Sequence, residues 1–120
     1  MTEGRLRVYR RRKAAAHQHR CYYCQFPMWT GSADSLARSY NITLPQAARF
    51  RCTAEHLKAR CDGGTSCVAN IVAACEFCNK KRHHRARPLP PDSYLLRVRR
   101  RVARHRWHPP ELHRLLRASG

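Results

Sequence analysis

Residues 51–84 read RCTAEHLKARCDGGTSCVANIVAACEFCNKKRHH, and no other part of the chain carries so many independent structural signals. Phe50, Cys52 and Ala54 alternate with Arg51, Thr53 and Glu55, the period of two that marks a strand. This strand runs into Glu55-His56-Leu57. Asp62-Gly63-Gly64 is a turn signal inside the loop that follows. Asn70 to Ala74 reads as a second strand. A helix begins at Cys75 or Glu76 and continues to Arg87, where Pro88, Pro90 and Pro91 stop it.

The cysteines link this stretch to residues before it. Cys21 and Cys24 form one C-x-x-C pair, and Cys75 and Cys78 form another. Two such pairs supply four thiolates for one tetrahedral ion, so a zinc knuckle is expected, structural because no ligand position stays open. The total of 7 cysteines is odd, which speaks against a closed disulfide framework and for a reducing, intracellular and cytoplasmic setting. Cys52, Cys61 and Cys67 read as reduced thiols, with Cys61 and Cys67 near enough in sequence to substitute as ligands. The residues between the pairs must loop out from the metal. Within them, residues 33–50 read as a helical insert. Asp34 or Ser35 caps a short helix through Leu36 to Tyr40, Asn41 breaks it, and a second helix runs from Pro45 to Phe50.

The flanks are basic. The chain holds 25 Lys and Arg against 7 Asp and Glu, a formal charge of +18 over 120 residues. Such a surface attracts polyanions, nucleic acid above all. Residues 1–20 read as a basic arm, partly helical through Lys13-Ala14-Ala15-Ala16, with Arg10 to Lys13 placed for phosphates. Residues 92–120 read as a basic helical tail. Leu95, Val98 and Val102 share one face there, arginines including Arg97, Arg100, Arg101 and Arg104 cover the rest, and Glu111 to Arg117 forms a last short helix. Trp29 and Trp107 read as packing residues. No apolar run approaches the roughly 20 residues of a membrane span. Three units follow: the arm 1–20, a zinc-stapled domain 21–91, and the tail 92–120.

Glu55-His56-Leu57, Asp62-Gly63-Gly64, Asn70-Ile71, Cys75-x-x-Cys78-Asn79 and His83 together resemble the HNH endonuclease family in kind and order. The resemblance covers residues 21–24 and 51–84. It implies a small α+β fold, a ββα-metal finger stapled by four cysteines, with basic helical extensions. It also implies cleavage of DNA. His56 is then the general base that activates water, and Asn70 ties down the loop so that His56 faces the substrate. Glu55 with Asn79, His83 or both would hold a catalytic divalent ion, magnesium or manganese by the hardness of the oxygen donors, with other ions open through the imidazole. Lys80, Lys81, Arg82 and Arg85 would contact phosphates along the helix, and His84 sits on that surface. Regular strand neighbours face opposite sides, so Glu55 and His56 share a site only if the strand end twists or bulges. The alternative is a non-catalytic zinc-containing module that binds DNA or RNA. Monomer and homodimer are both open.

Overall fold

The computed structural model describes residues 3–116, without the side chains of Glu3 and Cys61. Met1 and Thr2 of the expected arm, Arg117 of the expected last helix, and Cys61 as a substitute ligand lie outside the described residues. The described chain is α+β. Its order is α1 Glu3–Ala16, α2 Asp34–Tyr40, α3 Leu44–Ala48, β1 Cys52–His56, β2 Ile71–Cys75, α4 Glu76–His83, α5 Pro91–Ala103 and α6 Pro110–Leu116. Two short 3-10 turns, Arg60–Asp62 and Val68–Asn70, lie in the β1–β2 loop.

β1 and β2 pair antiparallel from Cys52 opposite Cys75 to His56 opposite Ile71, in unbroken register. All five residues of β2 are buried, so both faces of the Ile-Val-Ala-Ala-Cys run are covered. Helix α1 packs across both strands, and α4 also touches both. The arm, expected to be partly helical, is helical from Glu3 to Ala16 and lies on the sheet. Ala14 is 1% exposed and joins the core, because small side chains let this helix approach the sheet.

The insert is helical, but the expected cap at Asp34 or Ser35 is corrected: the N-cap of α2 is Ala33, without a side-chain hydrogen bond, and Asp34 already lies in the helix, while α3 runs Leu44–Ala48 and not to Phe50. Asn41 ends α2 in the left-handed region (φ 53°), where its short polar side chain is tolerated. Thr43 and Gln46 cap α3 reciprocally, side chain to backbone in both directions, beside Pro45 in the first turn. Helix α4 ends at His83, a turn earlier than Arg87.

The C-terminal segment is not a loose tail. Tyr94, Val98, Trp107, Leu112 and Leu116 are buried in the same core as Phe26, Phe50 and Tyr23. The His113 ring nitrogen Nε2 accepts from the backbone N–H of Trp107 (3.3 Å) and of His108 (2.8 Å), which locks the turn before α6. Burial, with Arg49 beside it, pushes the His108 imidazole down to about 3, so this core histidine is neutral.

The β1–β2 loop closes on itself. A Cβ at Gly64 would lie 1.8 Å from the Lys58 carbonyl oxygen, a backbone atom that has nowhere to move. Gly64→Ala is expected to destabilise the protein by about 2–4 kcal/mol, measured by urea unfolding. A wild-type midpoint would show that the loop reorganises freely.

Candidate active site and metal centre

The four cysteines meet. Cys21 and Cys24 sit in a tight hairpin whose turn is closed by Gln25 N–H donating to the Cys21 carbonyl (2.9 Å). Cys75 ends β2 and caps α4, and Cys78 lies one turn into that helix. All four are buried, and their sulfur atoms lie within 4.8 Å of one another. A zinc ion bonded at about 2.3 Å in a tetrahedron spaces sulfurs about 3.8 Å apart. Cys24 and Cys75 Sγ are 3.9 Å apart, so the cluster fits that ion. Three N–H groups point at sulfurs: Cys75 N to Cys21 Sγ (3.2 Å), Cys78 N to Cys75 Sγ (3.5 Å) and Trp107 Nε1 to Cys78 Sγ (3.2 Å). Burial pushes the Cys24 and Cys78 thiols well up. Cys21 is also buried, but sulfur neighbours donating to it pull it well down. A divalent ion would allow all four to be thiolates. Cys52 is buried elsewhere in the core, and Cys67 is exposed on the loop.

Tyr23, between the first two cysteines, reaches the second feature. Its hydroxyl donates to Glu55 Oε2 (3.0 Å), and Arg82 Nη1 donates to the same oxygen (3.0 Å). The Glu55 and Arg82 side chains are 1% and 2% exposed. Arg82 also donates to the carbonyls of His56, Leu57 and Leu89. The expectation that Arg82 contacts phosphate is corrected: it is buried and its donors are taken by the strand end and by Leu89. Desolvation and the Glu55 charge push the Tyr23 phenol far up, so it acts as a donor.

The second Glu55 oxygen has a different neighbour. Oε1 lies 2.7 Å from His83 Nε2, and the His83 side chain is 30% exposed. Cis ligands about 2.1 Å from a magnesium-sized ion stand about 3 Å apart, so a few tenths of an ångström of separation would admit one. Asn79, one turn before His83, donates its amide nitrogen to Thr53 Oγ1 (3.0 Å) and to the Ala54 carbonyl (3.2 Å). That fixes the carboxamide and keeps its oxygen as the available donor atom. The strand carries no bulge here. Glu55 faces α4 and Tyr23, while the His56 ring turns to the loop.

His56 Nε2 lies 2.9 Å from Ser66 Oγ and accepts from Arg60 Nε at 3.2 Å. Burial and the Arg60 charge lower its pKa from 6.5, with Glu55 opposing and His83 assisting. Asn70 clasps the loop. Its Oδ1 accepts from Lys58 N–H (2.8 Å), and its Nδ2 donates to the carbonyls of Lys58 (3.1 Å) and Thr65 (2.7 Å). Sequence reasoning passed over Tyr23, Arg60 and Ser66. Tyr23 was discoverable only as the residue between two ligands; nothing local flags the others.

The other residues expected to contact phosphate line the surface. Lys80 pairs with Glu76 (3.3 Å) on the surface. Lys81, Arg85, Arg97 and Arg101 line one cleft with Tyr94 and Trp107. Arg97, Arg100, Arg101 and Arg104 line the next. Arg99 turns inward and donates to the carbonyls of Tyr22 and Tyr23.

Residues 46–85, a third of the chain, match the family model described as HNH endonuclease, so this segment is similar to that family. That segment holds β1, the clasped loop, β2 and α4, including Glu55, His56, Asn70, Asn79 and His83. The match suggests a nuclease-type or DNA-binding function for that segment. No curated protein and no solved structure matches the chain. No helix of the described residues is long and apolar enough to cross a membrane.

Cys78→Ser is expected to abolish stoichiometric zinc binding and cooperative thermal unfolding, because metal binding contributes directly to folding. Zinc content by atomic absorption and melting by circular dichroism check this. Unchanged cooperative melting after zinc removal would show that packing alone holds the fold.

Proposed function

We propose that the protein is a metal-dependent endonuclease that hydrolyses DNA phosphodiester bonds, with His56 taking a proton from the attacking water. The observation that carries this reading is the 2.7 Å approach of the buried Glu55 Oε1 to Nε2 of the part-exposed His83, with His56 the next residue along β1. Magnesium or manganese, when bound, would neutralise the phosphate and the departing 3′ oxygen. Glu55, Asn79 and His83 are the residues that would hold it. Arg82 and Tyr23 keep Glu55 oriented by occupying its other oxygen. Asn70 holds the loop, and so the surroundings of His56, in place. Lys80, Lys81, Arg85 and the α5 arginines Arg97, Arg100, Arg101 and Arg104 bind phosphates without reading sequence.

One observation favours a second reading, a zinc-stapled module that binds DNA or RNA without cutting. Glu55 already has a protein partner on each oxygen, as a purely structural carboxylate would.

Nicking of supercoiled plasmid separates the two. The wild type is expected to nick with magnesium or manganese. His56→Ala should lose at least about 10²-fold in rate while binding is retained. A wild type that binds DNA but never nicks supports the binding module.

The pH dependence follows from the requirement for a neutral base. Since burial and Arg60 hold the His56 pKa below 6.5, the nicking rate should rise with pH below that value and level off above it. A rate that falls across this range would remove His56 as the base.

A further inference from the structure

The β1–β2 loop brings two side chains onto one atom. Asn70 pins Lys58 and Thr65 together, and Gly64 packs against the Lys58 carbonyl, so the segment between them is closed. From this frame Arg60 Nε donates to His56 Nε2 (3.2 Å), and Ser66 Oγ stands 2.9 Å from the same nitrogen. Arg60 Nη2 donates to Ser66 Oγ (3.4 Å). Arg60 is exposed, and no acid among the described residues pairs with it. A guanidinium carries five N–H donors in a planar fork that suits two oxygens of an anion. Here it rests against a neutral ring nitrogen, a weaker acceptor than a charged oxygen. The cluster therefore gathers hydrogen-bond donors with which no described carboxylate pairs.

We propose that Arg60 and Ser66 form a clasp for a DNA phosphodiester, and that its arrival draws Arg60 off His56. The guanidinium and the Ser66 hydroxyl both pass from His56 Nε2 to the non-bridging phosphate oxygens. Their departure leaves the Nε2 lone pair open to a water molecule. No covalent bond changes in this step; hydrogen bonds to a neutral ring nitrogen are exchanged for stronger, charge-assisted ones. The inference rests on the nuclease reading for its consequence, but the anion contact stands by itself. It assigns roles to two side chains outside the acid, histidine and asparagine set.

Two measurements test it. In the first, a DNA duplex is titrated into the full zinc-loaded chain, labelled with nitrogen-15, with no magnesium or manganese added. The Arg60 Nε–H resonance, assigned by its loss in Arg60→Lys, is expected to shift in step with binding. A resonance that stays fixed while the α5 arginines respond overturns the clasp, whether or not the protein cuts.

In the second, single-turnover nicking is measured at saturating DNA. Arg60→Gln is expected to lower the rate about 10²-fold, the scale of losing one charge-stabilising donor. Arg60→Lys should restore part of it, since charge is kept but the fork is lost. Zinc content and melting should stay at wild-type values, because the side chain is exposed. Wild-type nicking by Arg60→Gln overturns the clasp and leaves the nuclease reading intact if His56→Ala remains inactive. A wild type without nicking overturns the nuclease reading, and the resonance titration then decides whether the clasp binds phosphodiester.

Discussion

Four sulfur atoms from separate parts of the chain share one small buried space, and much of the architecture hangs from that meeting. Cys75 ends β2 and caps α4, so the cluster sets the angle at which helix leaves strand. The Cys21–Cys24 hairpin is tied to β2 by Tyr22 N–H on the Ala73 carbonyl, and it carries Tyr23 to Glu55. Trp107 docks on Cys78 through its indole N–H and draws the C-terminal helices with it. A small chain of +18 has both a modest core and considerable self-repulsion to overcome. An ion held by these four sulfurs would join the two cysteine segments and answer both problems.

Beside the cluster stands a second constraint, the buried pair of Glu55 and Arg82. Taking two charges out of water costs several kcal/mol each before their attraction is counted, so such a pair is weak evidence of stability. Its effect here is positional. Arg82 fastens the ends of β1 and the start of the loop through the His56 and Leu57 carbonyls, and it holds one oxygen of Glu55. The other oxygen is thereby fixed beside His83. The same arginine thus orders both the acid and the backbone from which His56 projects.

The fold class was legible because its signals are local and periodic. The alternation at Phe50 to Glu55, the apolar run Ile71 to Ala74 and the break at Asn41 each depend on a few neighbouring residues, and the two strands lie within a residue or two of the expected bounds. The cysteine spacing gave the staple, since two thiols three apart reach one ion. What stayed hidden was the side on which charged residues lie. Arg82 and Arg99 look in the sequence like any members of a basic helix. They turn inward because carbonyls at Leu57, Leu89, Tyr22 and Tyr23 need donors, and that need exists only in three dimensions. The C-terminal helices were read as a tail because arginines dominate their composition, whereas Tyr94, Val98, Leu112 and Leu116 determine where they pack. At the candidate site, the i to i+4 spacing of Asn79 and His83 puts both on one helix face. The approach of Arg60 and Ser66 to His56 arises from loop closure across ten residues, which no pattern announces.

The outward charge, once the inward arginines are set aside, is ordered. Lys80, Lys81 and His84 border one groove, Lys81, Arg85, Arg97 and Arg101 the next, and Arg97, Arg100, Arg101 and Arg104 a third. Lys81 is common to the first two, and Arg97 and Arg101 to the second and third. The three are thus one continuous band that leads from α4 along α5. Helix α4 also carries Asn79 and His83, so the band and the site are fixed to the same rigid element. Phosphate contacts carry register and orientation but no sequence information. A band joined to the site through a single helix would set where a bound backbone lies relative to His56, and the order of the charges matters more to that task than their total.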